Sequence, residues 1–313
     1  LASDGGALEL LKKEFPHLKA FELPSYNISY SKKSNGFKLK FLKASPRILQ
    51  TIRREKKQVE QLIESENIEG IISDNRFGVR HSKIPSVYMT HQLTVLSGKT
   101  TWLSSKWHQD IIKKFDKCWV PDFKNTPNLS GDLGHPKHKL ENIKYIGPLS
   151  RFNKHNLDIF TDILVILSGP EPQRTTLEKK ILLELKDKKE SVVLIRGIVE
   201  DKQQITEFNN ILIYNYMTSK ELETAINSSQ LVVSRSGYTT IMDLAKLEKK
   251  AVFIPTPGQF EQLYLSEKLS QEKIVSSIKQ EAFSYSDLKW NKNYSGFSKM
   301  DSEIDYKKLF SLF

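Results

Sequence analysis

The chain alternates two kinds of stretch. Short runs of Val, Ile and Leu read as strands buried on both faces. Between them lie longer segments with apolar residues three and four apart, which read as amphipathic helices. In the first half the predicted strands are Lys19–Leu23, Ile68–Ser73, Ser86–Thr90, Cys118–Val120 and Ile143–Ile146. The predicted helices there are Ala7–Phe15, a long charged one over 43–66, and Ser104–Phe115. Ala44-Ser45-Pro46 marks a start or a break in the long helix, because proline has no N–H to give its interior. The segment Gly147–Asn153 breaks the pattern and reads as a linker. A second alternation then begins, with strands at Ile163–Leu167, Val192–Arg196, Ile211–Tyr214, Leu231–Ser234 and Val252–Pro255. Its helices are Thr175–Lys186, Ser219–Ser228, Thr239–Leu247 and Glu261–Glu272.

Strands that alternate with helices form parallel sheets covered on both faces. The expected fold class is therefore α/β, with two doubly wound domains over 1–149 and 150–313. Leu1–Gly6 reads as the tail of a strand entering a turn. The first domain is accordingly expected to lack its opening βα unit, a piece of roughly 30 residues.

Composition narrows the class. The 313 residues are 38% hydrophobic and 27% charged, as in a folded globular protein. No apolar stretch reaches the ~18–20 residues that span a bilayer. The single Cys118 excludes an internal disulfide and a cysteine-rich metal site, and it reads as a buried filler in a short apolar strand. The expected setting is cytoplasmic, at the inner face of the membrane if the basic region described next docks there.

The net charge of +11 is unevenly spread. Between residues 31 and 60 stand Lys32, Lys33, Lys38, Lys40, Lys43, Arg47, Arg53, Arg54, Lys56 and Lys57, against Glu55 and Glu60 alone. Phe37, Leu39, Phe41 and Leu42 are interleaved with the first of them. Such a mixture docks on lipid headgroups, so residues 31–57 are a candidate for peripheral membrane contact. The plainer alternative is a solvated helix face over ordinary core residues.

The densest chemistry lies in Leu231-Val-Val-Ser-Arg-Ser-Gly-Tyr-Thr-Thr-Ile-Met-Asp243. A buried strand feeds a small-residue turn, Ser236-Gly237, at the start of a helix. Such a helix end has unpaired N–H groups and a dipole that favours anions. Thr239 and Asp243 are four apart and share a helix face. A carboxylate there suits a ribose diol beside the phosphates. The turn Leu167-Ser168-Gly169 ends another strand on the same edge, with Arg174 able to pair a phosphate. Its alternative is an ordinary turn with a surface arginine. Arg196 could line the phosphates or simply cap its strand. Tyr216 and Met217 end the third strand. Glu261 and Gln262 open the last helix, where Gln can donate to and accept from a sugar diol at once.

In the first half, Asp74 and His91 end neighbouring strands on the carboxyl edge and are the candidates for acid-base work. His91 reads equally as a partly buried, hydrogen-bonded histidine. His135 and His138 lie in a Pro/Gly/Lys loop and read as solvated. No Asp-x-Asp stands where a metal-bound diphosphate would need it, and the histidines show no metal spacing, so no metal is expected. Negative charge on a bound diphosphate is then met by helix N-termini and by Arg235 or Arg174.

Arg235, Ser236, Gly237, Thr239, Thr240, Asp243, Pro255 and Gln262 together resemble the donor-binding half of GT-B glycosyltransferases of the MurG type, glycosyltransferase family 28. The resemblance covers 163–275 specifically and the first half only loosely. It implies two Rossmann-like domains facing a cleft, a UDP-sugar donor held by the second domain, and no cofactor besides that donor. Asp243 stands where the family has Glu, one methylene longer. The family reads uracil near Tyr216 and Met217 and grips the sugar hydroxyls with Gln262. His91 matches an acceptor-side position where His-Glu is common, and here Gln92 follows instead. The missing first unit would have carried the family's Gly-rich acceptor loop.

The expected activity is inverting, metal-independent transfer of a hexose, N-acetylglucosamine or a relative, from UDP to an acceptor hydroxyl. The acceptor is unknown, with a lipid-linked sugar or a polysaccharide precursor among the candidates. The alternatives are a UDP-sugar 2-epimerase of the same fold and a basic module for nucleic acid or anionic surfaces. Against nucleic acid, the basic residues do not coincide with aromatic stacking patterns, and none is expected as a partner.

Overall fold

The computed structural model describes residues 1–26, 37–138, 140–289, 292–298 and 304–313, without the side chains of 37–45 and Lys99. The chain forms two compact units. The first comprises Leu1–Lys124, Asp132–Ile146 and Ile304–Phe313; the second comprises Asn125–Gly131 and Gly147–Glu303.

In the first unit, β1 (Ala2–Ser3) runs through α1 (Gly5–Glu14) into β2 (Phe21–Glu22), and the two strands pair in parallel. Helix α2 (Phe37–Glu66) starts before the expected residue and carries Pro46 in its interior, so the proline neither starts nor ends it. Then β3 (Ile71–Asp74), β4 (Ser86–Met89), α3 (Thr101–Ile112), β5 (Lys117–Val120) and β6 (Ile143–Tyr145) follow. The four strands form a parallel sheet in sequential order. Tyr88, Leu93, Ile111, Ile112, Phe115, Cys118 and Val120 pack as its core. Burial pushes the Cys118 thiol up to about 12, which leaves it an inert filler.

A polar knot shapes the turn after β3. Glu55 of α2 has no solvent exposure. Its carboxylate accepts from Arg76 Nε at 2.6 Å, from the Gly78 N–H at 2.9 Å and from the Tyr26 hydroxyl. Arg76 also reaches Asp4 and the Pro24 carbonyl, both at 2.5 Å. The one acid in the middle of the basic stretch is therefore an internal anchor.

The second unit contains β7 (Thr161–Ile166), α4 (Gln173–Leu185), β8 (Val192–Ile195), β9 (Ile205–Phe208), β10 (Ile211–Tyr214), α5 (Ser219–Asn227), β11 (Ser229–Ser234), α6 (Tyr238–Lys246), β12 (Ala251–Phe253), α7 (Phe260–Gln271) and β13 (Ser276–Ser277). The sheet order is β13-β12-β11-β7-β8-β10-β9, and only β9 is antiparallel to its neighbour. Sequence reading missed β9 because all four of its residues are exposed, so it shows no buried alternation. Ile163, Val165, Leu194, Ile213, Val233 and Ile254 lie in its core, with Leu177 and Ile181 of α4 packed among them.

The chain ends in α8 (Tyr306–Phe310), which returns to the first unit. The Phe310 and Phe313 rings stand edge-on to Trp119 at 5.7 and 6.2 Å. A side chain on Gly70 would run into the Phe313 ring. The tail therefore does not belong with the second domain, where the sequence pattern placed it.

Candidate functional site

Chain direction reverses across the second sheet between β7 and β11. From β7 the chain moves outward through β8 and β10, then returns to build β11 and β12 on the other side. Open parallel sheets bind ligands outside the carboxyl ends of their strands at such a reversal. Five exits lie along this edge in spatial order: Pro255-Thr256 after β12, Ser236-Gly237 after β11, Ser168-Gly169 after β7, Arg196-Gly197 after β8, and Tyr216-Met217 after β10. Four inter-strand steps of ~4.8 Å make a rim roughly 19 Å long. Of the donor-side residues proposed from sequence, Ser168, Gly169, Arg196, Tyr216, Met217, Ser236 and Gly237 stand at these exits.

At the β11 exit, α6 begins with Gly237 as N-cap, and no side chain caps it. Gly237 has an extended backbone, and a Cβ there would meet nothing within 4 Å. Open space therefore lies beside the Gly237 Cα, at a helix end whose dipole favours anions. Ser236 is fully buried and donates to the Gln262 carbonyl at 2.8 Å. The Gln262 side-chain oxygen accepts from the Thr256 N–H at 2.8 Å. Its NH2 group has no protein partner among the described residues. These bonds tie the exits of β11 and β12 to the first turn of α7.

Gly169 has φ +97°, which an L side chain rarely adopts, and its nearest neighbour is the Thr256 hydroxyl, 3.7 Å from where a Cβ would lie. That hydroxyl is buried and has no hydrogen-bond partner among the described residues. Gly197 has φ +69°, and its Cβ would fall 2.5 Å from the Leu167 carbonyl oxygen, so the backbone requires glycine there.

Asp243 lies one helical turn into α6. Its carboxylate accepts from the Ser150 hydroxyl at 2.7 Å. Burial raises its pKa from 3.8 to about 6, and the Ser150 bond and Arg151 charge pull it back only in part. Ser150 belongs to the supposed linker, which docks by burying Phe152 and by the Asn153 N–H donating to Glu223 at 2.7 Å. Nothing in the local pattern of 147–153 marked Ser150 as Asp243's partner. Thr239 is exposed and Thr240 partly buried in the first turn of α6.

The arginines differ from expectation. Arg235 is 1% exposed, and both terminal nitrogens of its guanidinium are spent on the protein: Nη1 donates to the Ile254 and Pro255 carbonyls, Nη2 to the Gln173 carbonyl and to Gln280 Oε1. It is a clamp between the β12 exit and the start of α4, with burial lowering its pKa to about 10, and it is not presented to a phosphate. Arg174 pairs with Glu171 and donates to the Arg196 carbonyl at 3.2 Å. Arg196 Nε donates to Glu178 at 2.7 Å. All three cations expected at the diphosphate are already held by protein acceptors. Tyr216 and Met217 are partly buried, in a loop pinned by Asn215, which accepts from the Gln204 and Tyr216 N–H groups. Glu261 lies in the first turn of α7.

In the first unit, Asp74 ends β3 opposite Met89 of β4, and His91 lies two residues further on. Desolvation raises the Asp74 pKa, and the nearby charge of His91 lowers it only in part. Asp74 keeps contact with water, so screening limits both effects. His135 is not solvated as its loop suggested. Its Nε2 is 3.2 Å from fully buried Asp122, and its ring stacks on Tyr145 at 4.7 Å. Among the described residues, no three His, Cys, Asp or Glu side chains cluster to hold a metal, and no helix is long and apolar enough to cross a membrane. Of the basic stretch, Lys32 and Lys33 fall outside the described residues, and the side chains of Lys38, Lys40 and Lys43 are among those not described.

Residues 165–292 match the glycosyltransferase family 28 C-terminal domain. Among curated proteins, none matches the sequence. The fold is similar to that of MurG from Acinetobacter baumannii, at 12% identity over 92% of this chain and 78% of that one, with a TM-score of 0.50. It is similar to the calicheamicin glycosyltransferase CalG4, at 10% identity over 89% and 78%, with a TM-score of 0.57. It is also similar to the spinosyn rhamnosyltransferase SpnG complexed with thymidine diphosphate, at 11% identity over 86% and 76%, with a TM-score of 0.54. The architecture is the Rossmann-like GT-B fold.

Proposed function

We propose, on the premise that residues 165–292 are a glycosyltransferase family 28 C-terminal domain, that this chain transfers a hexose from a UDP-sugar to an acceptor hydroxyl. The observation that carries this reading is the uncapped start of α6 at the reversal between β7 and β11, flanked by the Ser168-Gly169 turn. A helix start without a side-chain cap, with open space beside the Gly237 Cα, suits a diphosphate. Support also comes from the solved relative that holds thymidine diphosphate.

In this reading the diphosphate lies against the N–H groups of α6 and the turn after β7. Thr239 and Thr240 offer hydroxyls to it, and Asp243, steadied by Ser150, accepts from the ribose diol. Gln262 and Glu261 hold the sugar, and Tyr216 and Met217 lie by the base. The acceptor oxygen bonds to the anomeric carbon from the face opposite the diphosphate, so configuration inverts. The bond from that carbon to the phosphate oxygen breaks, and the acceptor proton passes to a general base, for which Asp74 and His91 are the candidates in the first unit. Negative charge on the departing diphosphate is met by preorganised N–H dipoles, with no divalent cation required.

Titration calorimetry with UDP, TDP, GDP and UDP-hexoses tests the donor assignment. UDP is expected to bind, and Asp243→Ala and Thr240→Val are each expected to weaken it by about tenfold, the worth of one hydrogen bond to a charged group. Unchanged affinity in both variants overturns the site. Incubation with a UDP-sugar alone, followed by sugar analysis, separates transfer from 2-epimerisation, since only the latter inverts C2 without acceptor. A lipid-linked acceptor and membrane contact through 31–57 belong to the same proposal, and sedimentation with anionic vesicles checks the contact.

A further inference from the structure

A third titratable group joins Asp74 and His91 at the carboxyl edge of the first sheet. Asp122 lies two residues past the end of β5, and β5 pairs with β4, whose exit carries His91. The chain returns to this edge at Leu133, whose carbonyl accepts from the Leu93 and Thr94 N–H groups at 2.7 and 2.8 Å. Those bonds tie the loop after His91 to the loop that carries His135.

Asp122 is fully buried and both of its oxygens are engaged. Oδ1 accepts from the Phe123 N–H at 2.7 Å, and Oδ2 lies 3.2 Å from His135 Nε2. The imidazole is also held over its face. It stacks on the Tyr145 ring at 4.7 Å with 10° between the planes, and the Tyr145 hydroxyl donates to the Gly134 carbonyl at 2.8 Å, next to His135 in the chain. Burial and then the Asp122 charge raise the Tyr145 pKa, so that hydroxyl stays a donor. An ionised carboxylate can only accept. Its contact with Nε2 therefore places the proton of a neutral imidazole on that nitrogen and leaves the lone pair on Nδ1. Nδ1 makes no hydrogen bond among the described residues, and the side chain keeps 21% of its surface. A clamped ring with one nitrogen on a carboxylate and the other bare can take a proton, and the carboxylate steadies the cation that results.

We propose, resting on the glycosyl-transfer reading, that His135 is the general base for the acceptor hydroxyl and that Asp122 is its positioning residue. As the acceptor oxygen bonds to the anomeric carbon, its O–H bond breaks and the proton goes to His135 Nδ1. The bond from that carbon to the phosphate oxygen breaks, and its electron pair leaves with the diphosphate. The imidazolium faces the Asp122 carboxylate until it returns the proton to water.

The test uses the full chain with UDP-N-acetylglucosamine as donor, water and methyl glucoside as acceptors, and UDP release as the readout. His135→Gln is expected to lower kcat by about 100-fold or more and to leave the Kd for UDP unchanged, because the donor edge lies in the second unit. Asp122→Asn keeps the shape of the buried side chain and is expected to lower kcat at unchanged KM. Long-range proton–nitrogen NMR is expected to find the His135 proton on Nε2 in the native chain and to show that preference lost in Asp122→Asn. Equal turnover by His135→Gln, a larger loss of kcat in Asp74→Asn or His91→Gln, a native His135 proton on Nδ1, or UDP binding without any turnover would each overturn the assignment and leave the donor site standing. Failure of the native chain to bind UDP overturns the transfer reading instead, and this assignment with it.

Discussion

Asp243 accepts the Ser150 hydroxyl within a largely desolvated pocket, and its carboxyl titrates near pH 6 instead of the ordinary 3.8. The sign for stability follows from which state holds the proton. Between about pH 4 and 6 the folded chain keeps a proton that the unfolded chain has lost, so this group makes the fold less stable as pH rises through that window. For binding, the ionised carboxylate is the stronger acceptor for a diol. UDP affinity of the native chain is therefore expected to fall as pH drops below about 6. Asp243→Asn should flatten that dependence, which calorimetry across pH 5 to 8 checks. Gly237→Ala isolates the anion site. Its backbone is ordinary and its Cβ meets nothing, so the stability cost is expected to stay below about 1 kcal/mol. The added methyl narrows the space before the α6 N–H groups, and UDP binding is expected to weaken without loss of fold, measured by denaturation and titration together.

Two buried charges organise whole elements. Arg235 joins the exits of β12 and β11 to the start of α4 through four protein acceptors. Replacing it with Met strands those carbonyls, and a loss of about 3 kcal/mol or more in the second unit is expected from urea unfolding. Glu55 plays the matching part in the first unit, holding Arg76, Gly78 and Tyr26. Glu55→Ala leaves the Arg76 guanidinium with half its carboxylate partners and is expected to cost about 3–5 kcal/mol. Both positions sit in sequence contexts that suggest something else. Arg235 lies in a turn that resembles a phosphate grip, and Glu55 looks like an isolated acid on a basic helix. Sequence gives a residue's chemical type and its element, but burial decides whether a charge faces a ligand or is spent on the backbone.

At the scale of the whole molecule, the last residues close the first unit, not the second. Leu309 is 5% exposed, while Phe310 and Phe313 keep 45% and 42% of their surface. Removing 304–313 uncovers Trp119 and Gly70, and the partial burial involved suggests a loss of about 3 kcal/mol in the first unit. UDP binding should persist, because every element of the donor edge lies in the second unit. Circular dichroism melts with and without UDP check both parts.

The hydrophobic pattern by itself determined the alternation of strands and helices, the parallel pairing, and the small-residue turn that opens α6. These are set by neighbours a few residues apart, within reach of periodicity and turn chemistry. It also carried Ser168, Ser236 and Gln262 to one edge, because strand polarity alone fixes which ends of a parallel sheet its exits share. Tertiary structure alone decided the rest. It showed that Ser150 serves Asp243 across 93 residues, that Arg235 is a clamp, and that His135 is paired. It returned the C-terminal helix to the first unit. Each of these depends on which distant backbone and side-chain groups are left in need of a partner once the layers pack, and no local pattern along the chain encodes that.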